Sequence, residues 1–417
     1  MKAEILNIGD ELLIGQVVNT NASWMASQLN LAGIPVVQIS VISDDEDNIL
    51  TALDEAASRA DIILITGGLG PTNDDITKHT LCKYFDTSLV FHEPSYRAIE
   101  RLFGKRGIPM ISLNKQQADL PESCTPIDNP NGTAPGMWFE HQHKVYVSMP
   151  GVPFEMQPMM TDSVIPKLAQ RFLLDSIYHK TILTVGVGES FLAAILEDWE
   201  NSLPKNIRLA YLPQAGMVRL RLSAIGKNYE DIKFMVESEA ARLQAIIPNL
   251  IFGYDEESLE EVIGKLLLER GLSLSTAESC TGGYIAHKIT SVAGSSGYYR
   301  GSIISYANEI KKDFLAVTEE DLFTHGAVSE VVVKQMAEEI RRKFHSDYSI
   351  ATSGIAGPDG GTPEKPLGTV WVAIAGPNGT LTKKYSLGDH RGRNIQRAGV
   401  FALNLLRKCL LGLKETE

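Results

Sequence analysis

Short β-rich runs alternate with amphipathic helical windows from the start of the chain. Residues 3–8, 35–42 and 61–66 read as strands. Between them, 21–31 (stopped by Gly33) and 47–59 (apolar at Ile49, Leu50, Leu53 and Ala57) read as helices. This β-α-β-α-β order implies a parallel sheet covered on both faces, with ligands at the carboxyl ends of its strands. The pattern then changes to strand, helix, strand, strand, helix, strand over 181–185, 189–200, 207–212, 217–225, 229–246 and 250–252. Within it, 218–224 alternates apolar and polar residues as a half-exposed strand does. A third α/β pattern follows the acidic stretch Asp255-Glu-Glu-Ser-Leu-Glu-Glu261, which reads as a helix start favoured by the dipole. It contains strand-like runs at 272–277, 301–306 and 347–352, and a last helix striped by Ile395, Ala398, Ala402, Leu406 and Cys409.

At 417 residues, the chain is long enough for two or three domains, each with its own core. With 44% apolar and 22% charged residues it falls in the soluble globular range. A net charge of −12 argues against non-specific nucleic-acid binding, which needs a basic footprint, but leaves room for a nucleotide in a local pocket. Cys82, Cys124, Cys280 and Cys409 are scattered, with neither disulfide-framework nor metal-ligand spacing. No apolar run approaches the ~18 residues of a membrane span. A strand beginning at Ala3 leaves no room for a leader, so a cytoplasmic protein is expected.

The densest chemistry is Glu278-Ser279-Cys280-Thr281-Gly282-Gly283, between the strand 272–277 and a helix over 284–291. Such a turn exposes a hydroxyl or thiol beside unpaired backbone N–H groups, which can stabilise an oxyanion or hold a phosphate. The arrangement is that of a nucleophile elbow without its G-x-S-x-G sequence, and tight packing alone would also explain the glycines. Ser279 needs a base to take its proton. Cys280, beside a helix N-terminus, is the rival nucleophile. No Ser-His-Asp set is evident, and His287, His325 and His345 read as surface or packing residues. The strand 301–306 leads instead to Asn308 and Lys311, and a desolvated lysine can lose its charge and act as a base. A second glycine-rich loop, with Ser353, Gly354, Gly357, Gly360 and Gly361, could offer amides to a phosphate. Arg391, Arg393 and Arg397 offer either a bidentate phosphate contact or a solvated basic face. Lys365, in a Pro-rich turn, reads as mobile.

Near the N-terminus, Gly9-Asp10-Glu11 follows the first strand, and Gly67-Gly68-Leu69-Gly70-Pro71-Thr72-Asn73-Asp74-Asp75 follows the third. The glycines let backbone approach a ligand. The aspartates would repel a phosphate unless a divalent cation bridges them, the alternative being that they cap a helix. Two further loops, 129–136 and 149–155, are rich in residues that fix loop backbone.

Gly9-Asp-Glu-Leu-Leu-Ile-Gly15, the 67–77 loop and Met149-Pro-Gly-Val-Pro153 resemble the MoaB/MogA-like molybdopterin-binding fold, and more closely the N-terminal domain of the CinA family. Ala277-Glu-Ser-Cys-Thr-Gly-Gly283 and Ser353-Gly-Ile-Ala-Gly-Pro-Asp-Gly-Gly361 resemble that family's C-terminal domain, a PncC-type nicotinamide mononucleotide deamidase. The resemblance implies an α/β chain of three parts. These are a MoaB/MogA-like parallel-sheet domain over 1–172, a small α+β KH-like domain over 177–253 and an α/β amidohydrolase domain over 255–417.

For the C-terminal domain it implies deamidation of nicotinamide mononucleotide without a cofactor, with Ser279 as nucleophile and Tyr306 and Lys311 as its activating partners. Cys280, Thr281, Gly282, Gly283, Asn308, Ser353, Gly354, Gly357, Gly360, Gly361, Arg391 and Arg393 would surround the oxyanion and substrate. For the N-terminal domain it implies hydrolysis of ADP-ribose to AMP and ribose 5-phosphate, with a divalent cation such as Mg²⁺ on Asp74 and Asp75. Asp10, Glu11, Gly67, Gly68, Gly70, Pro71, Thr72, Asn131, Gly132, Pro150, Gly151 and Glu155 would hold the nucleotide. The middle domain has Gly186-Val-Gly188 but no G-x-x-G loop, so it reads as a structural or homodimer-forming module without direct nucleic-acid contact. The alternatives are a molybdopterin-binding protein that performs no hydrolysis and a competence or DNA-recombination accessory protein.

Overall fold

The computed structural model describes residues 1–72, 75–107, 109–172 and 176–413. It divides into two compact units, residues 1–178 with 225–232, and residues 179–224 with 233–417.

In the first unit the strands Val36–Ile42, Ala3–Ile8, Ile62–Thr66 and Lys144–Met149 lie side by side and parallel. Gly136–His141 and Thr125–Ile127 complete the sheet as antiparallel neighbours. Alternate residues of a strand face opposite sides of a sheet. Ile62 and Leu64 therefore join one core with Met25 and Leu29 of the helix Thr20–Leu31. Ile63 and Ile65 join the other with Ile49 and Leu53 of the helix Glu46–Arg59. Each of these fully buried aliphatic side chains contributes about 1.5–3 kcal/mol. Side-chain caps start both helices: Asn19 accepts from the Ala22 N–H at 3.0 Å, and Asp45 from the Asn48 N–H at 3.0 Å. The parallel order delivers the loops after Ile8, Ile42, Thr66 and Met149 to one edge.

The middle sheet has the order Ile207–Gln214, Met217–Gly226, Ser176–Val185, Ile251–Tyr254, with helices Glu189–Asn201 and Tyr229–Ile246. Val218, Leu220, Leu222 and Ala224 are buried while Arg221 is exposed, as the alternation predicts. The first strand runs farther than its apolar residues alone suggest, beginning at Ser176.

The C-terminal sheet has the order Tyr299–Ile304, Leu274–Glu278, Tyr348–Gly354, Thr369–Gly376, Gly379–Ser386. Its first three strands are parallel and its last two antiparallel. Both faces are covered. Ala277, Ala351 and Ala373 pack with Val333, Met336 and Ile340 of the helix Glu330–Lys343. Leu274, Ile350 and Val372 pack with Ile263, Ile285, Leu403 and Leu406. The last helix, Arg391–Leu411, buries Ala398, Ala402 and Leu406 of its apolar stripe. Its buried Arg407 donates to the carbonyls of Asn249 and Ile251 at 2.9 and 3.1 Å, tying it to the strand Ile251–Tyr254. No helix among the described residues is long and apolar enough to cross a membrane.

Candidate functional site

Register brings three serines to one edge of the C-terminal sheet. Glu278 pairs with Ile304 on one side and Thr352 on the other, so Ser279, Ser305 and Ser353 are the next residues out of, or at the end of, adjacent parallel strands. Backbone bonds hold them level: Ser279 N–H donates to Thr352 O at 3.0 Å, and Ser305 N–H to Glu278 O at 2.8 Å. Ser353 is buried and spends its hydroxyl on Ala327 O at 2.7 Å. Ser279 retains 8% exposure, the most of the three.

Lys311, in the helix Asn308–Leu315, is only 1% exposed. Its Nζ donates to Ser305 O at 2.7 Å and to Tyr306 O at 3.3 Å. Burial draws its pKa below the ordinary lysine value, against the raising influence of Cys280 and Glu309. A neutral amine has two N–H donors and one lone pair. The two carbonyls account for both donors and leave the lone pair over. No hydrogen bond joins Lys311 Nζ to Ser279 Oγ among the described residues. The link runs through Ser305, which is bonded to the residue before the nucleophile.

Tyr306 serves this edge twice. Its carbonyl accepts from Lys311, while its exposed phenol oxygen accepts from Arg391 Nη2 at 2.8 Å. Arg391 Nη1 donates to Gly357 O at 2.7 Å, so one guanidinium spans two loops. Arg393 takes another direction, because residues two apart on a helix lie about 200° apart. With Gln396 and Arg397 it lines a separate cavity of about 780 Å³ beside Gly186, Val187 and Gly188. Asn308 is exposed at the start of its helix, Gly354 ends its strand, and Gly360 and Gly361 lie in the exposed part of the second glycine loop. Asn394, absent from the sequence reading, is buried and donates to Ala356 O and Gly388 O at 3.0 and 2.9 Å, anchoring that loop. Lys365 has its ammonium on the His325 carbonyl.

The turn differs from an open elbow in one respect. Glu278 is fully buried, and its carboxylate accepts from Thr281 Oγ1 at 2.7 Å. It also accepts from the N–H groups of Gly283, Ile285 and Ala286 at 3.1, 3.0 and 2.8 Å. The first-turn amides expected to face a substrate are therefore filled. Gly282 N–H goes to Ser279 O, and Tyr284 N–H to Thr281 O. Among the described residues the amides of Cys280 and Thr281 donate to no other residue. Gly283 holds the turn at φ 95°, and a Cβ there would stand 2.9 Å from Ile304 Cδ1. Cys280 is buried, and burial pushes its thiol up to about 12. That is the opposite of an activated thiolate.

In the first unit the four parallel strand ends enclose a cavity of about 580 Å³. Glu11, Gly67, Gly68, Gly70, Pro71, Asp75, Pro150, Gly151 and Glu155 line it. Asp10, Thr72, Asn131 and Gly132 do not line it but bond to the loops around it. The Asp10 N–H donates to Asp44 at 3.0 Å, and the Thr72 N–H to Asp75 Oδ2 at 2.9 Å. Asn129 accepts from the N–H groups of Asn131 and Gly132 at 3.1 and 2.9 Å, and donates to Glu155 at 2.7 Å. A Cβ at Gly132 would lie 1.8 Å from Glu155 Oε2, so this position must be glycine for the carboxylate to sit where it does. The Pro150-Gly151 loop is held by Thr66 Oγ1 on Pro150 O at 3.0 Å and by Asn21 Nδ2 on Gly151 O at 2.6 Å. Asp74 lies outside the described residues. Asn7 and Gln117, missed in the sequence, are buried, line the cavity and keep side-chain oxygens without a partner. Among the described residues no three His, Cys, Asp or Glu side chains gather as a metal centre.

Comparison with known proteins matches all three parts. Residues 4–170 match the "Probable molybdopterin binding domain", 179–253 the "Damage-inducible protein CinA KH domain" and 256–410 the "CinA C-terminal domain". A CinA-like protein of Cytophaga hutchinsonii is 47% identical, covering 99% of each chain. One of Flavobacterium psychrophilum is 46% identical with the same coverage. Among solved structures, a competence/damage inducible protein of Agrobacterium tumefaciens is 39% identical over 37% of this chain and 93% of its own, with a TM-score of 0.36. The chain belongs to the CinA family, joining a MoaB/MogA-like domain, a CinA KH domain and a CinA C-terminal domain.

Proposed function

We propose that the C-terminal domain is a serine amidohydrolase that converts nicotinamide mononucleotide to nicotinate mononucleotide and ammonia. The observation that carries this reading is the burial of Lys311, with its donors spent on Ser305 O and Tyr306 O, one residue removed from the strand end that presents Ser279. In the proposed sequence Ser279 gives its proton to the Lys311 amine as its oxygen attacks the carboxamide carbon. The free amides of Cys280 and Thr281 receive the developing oxyanion. The C–N bond breaks, Lys311 returns the proton to the departing ammonia, and water hydrolyses the resulting ester to the carboxylate. Arg391, held by Gly357 and Tyr306, supports the substrate's phosphate.

We further propose that the N-terminal cavity hydrolyses ADP-ribose to AMP and ribose 5-phosphate with a divalent cation. The donors fit a hard cation, since the carboxylates of Asp75 and Glu155 share one cavity and Mg²⁺ uses one or two carboxylates beside phosphate oxygens. Such a cation would offset charge on the pyrophosphate when bound. The unpartnered side-chain oxygens of Asn7 and Gln117 support a polar, hydrogen-donating ligand in the same cavity. The family match over 4–170 also favours a second reading, binding of a molybdopterin-like cofactor without hydrolysis. Incubation of the protein with each nucleotide, with and without EDTA, separates these readings by product. Ammonia from nicotinamide mononucleotide and chelator-sensitive AMP from ADP-ribose are expected. An inert ADP-ribose leaves the cofactor-binding reading in its place.

A further inference from the structure

We infer that Glu278 is the positioning residue of the C-terminal site, fixing the nucleophile turn with its side chain and the base with its main chain. The inference rests on the amidohydrolase reading above. A carboxylate taken wholly out of water is costly unless its lone pairs are filled. Glu278 has four donors on its two oxygens: Ala286 N–H on Oε1, and Thr281 Oγ1, Gly283 N–H and Ile285 N–H on Oε2. No cation pairs with it among the described residues.

Three consequences follow for the chemistry. First, the amino end of the helix Tyr284–Thr290, which would otherwise attract the substrate's phosphate, is already neutralised and closed. The phosphate is left to the Arg391 side of the edge. Second, tying Thr281 and Gly283 inward leaves the amides of Cys280 and Thr281 as the turn's unfilled donors. Third, Glu278 O accepts from Ser305 N–H, and Ser305 O accepts from Lys311 Nζ. One residue thus sets the spacing between nucleophile and base.

A neutral glutamine of the same shape cannot replace it. Whichever way its amide is turned, an NH₂ group faces either Ala286 N–H or the trio on Oε2. Glu278→Gln should therefore misalign the turn without removing any group that touches substrate. The test measures kcat and KM for ammonia release, and separately the rate at which a fluorophosphonate probe labels Ser279, which needs no nucleotide. We expect kcat to fall about 100-fold, the size of a lost oxyanion contact, with KM within about threefold and labelling at least about tenfold slower. A kcat within about twofold of the parent, or a loss confined to KM, overturns the inference. If Glu278→Gln does not fold, Thr281→Val removes one of the four donors. It should lower kcat about three- to tenfold at unchanged KM and slow labelling in proportion, and unchanged values overturn the inference. A parent enzyme that labels at Ser279 yet releases no ammonia defeats the deamidase reading instead. The labelling rates still decide the role of Glu278.

Discussion

The guanidinium of Arg391 donates to the phenol oxygen of Tyr306 at 2.8 Å, across 85 residues of sequence. This contact assigns the exposed tyrosine side chain to the arginine, while its carbonyl serves Lys311. Tyr306→Phe should therefore act on substrate binding. Loss of one charge-assisted bond of about 1.5 kcal/mol predicts a KM for nicotinamide mononucleotide raised about tenfold, with kcat within about threefold. A kcat loss above about tenfold at constant KM would instead assign the phenol to activation of Ser279.

Lys311 must be neutral to accept the serine proton. Burial lowers its pKa, so the neutral form, and activity with it, appears as pH rises through a value below the ordinary 10.5. Log kcat/KM should climb with unit slope and level off before that pH, reporting the free enzyme. Lys311→Met should abolish the limb together with the activity. A profile that is flat from mildly acidic pH upward would remove Lys311 from the role of base.

Cys280 should behave as a packing residue. With its thiol pushed up to about 12, the thiolate fraction near neutrality is on the order of 10⁻⁵. Iodoacetamide followed by mass mapping should leave Cys280 unmodified in the folded protein, and Cys280→Ala should keep at least about a third of the parent kcat. Rapid alkylation that stops ammonia release would favour the thiol.

Much of this was legible because local chemistry decides it. The parallel sheets, the Ser-Cys turn and the loops at the strand ends follow from strand–helix alternation and glycine placement, whereas Lys311 stands out in the sequence through the family resemblance. The role of Glu278 was not legible. A glutamate at the end of an apolar strand carries no sign of its burial, which depends on the helix Tyr284–Thr290 folding back over it. The same turn was expected to leave its amides open, and local sequence gives no means of seeing that a preceding carboxylate fills them. Arg391 and Arg393 looked equivalent as neighbours in a basic cluster, although helical periodicity already separates their directions. In the N-terminal cavity, Asn7, Asn21, Asp44 and Gln117 come from four distant segments, and no spacing rule connects them.

Asp75 offers a test of the N-terminal proposal. Its Oδ2 already accepts from the Thr72 N–H and hydroxyl, so Asp75→Asn weakens both the loop and any cation contact. ADP-ribose hydrolysis should fall at least about tenfold and need more metal to recover, while ammonia release stays unchanged. Undiminished hydrolysis would take Asp75 out of the cation site.

In the proposed mechanism Ser279, and not Cys280, attacks the carboxamide. The direct measurement is ammonia release from nicotinamide mononucleotide by Ser279→Ala beside Cys280→Ala. A loss of at least about 10³-fold is expected in the first and near-parental turnover in the second. Turnover retained by Ser279→Ala and abolished in Cys280→Ala would contradict that mechanism.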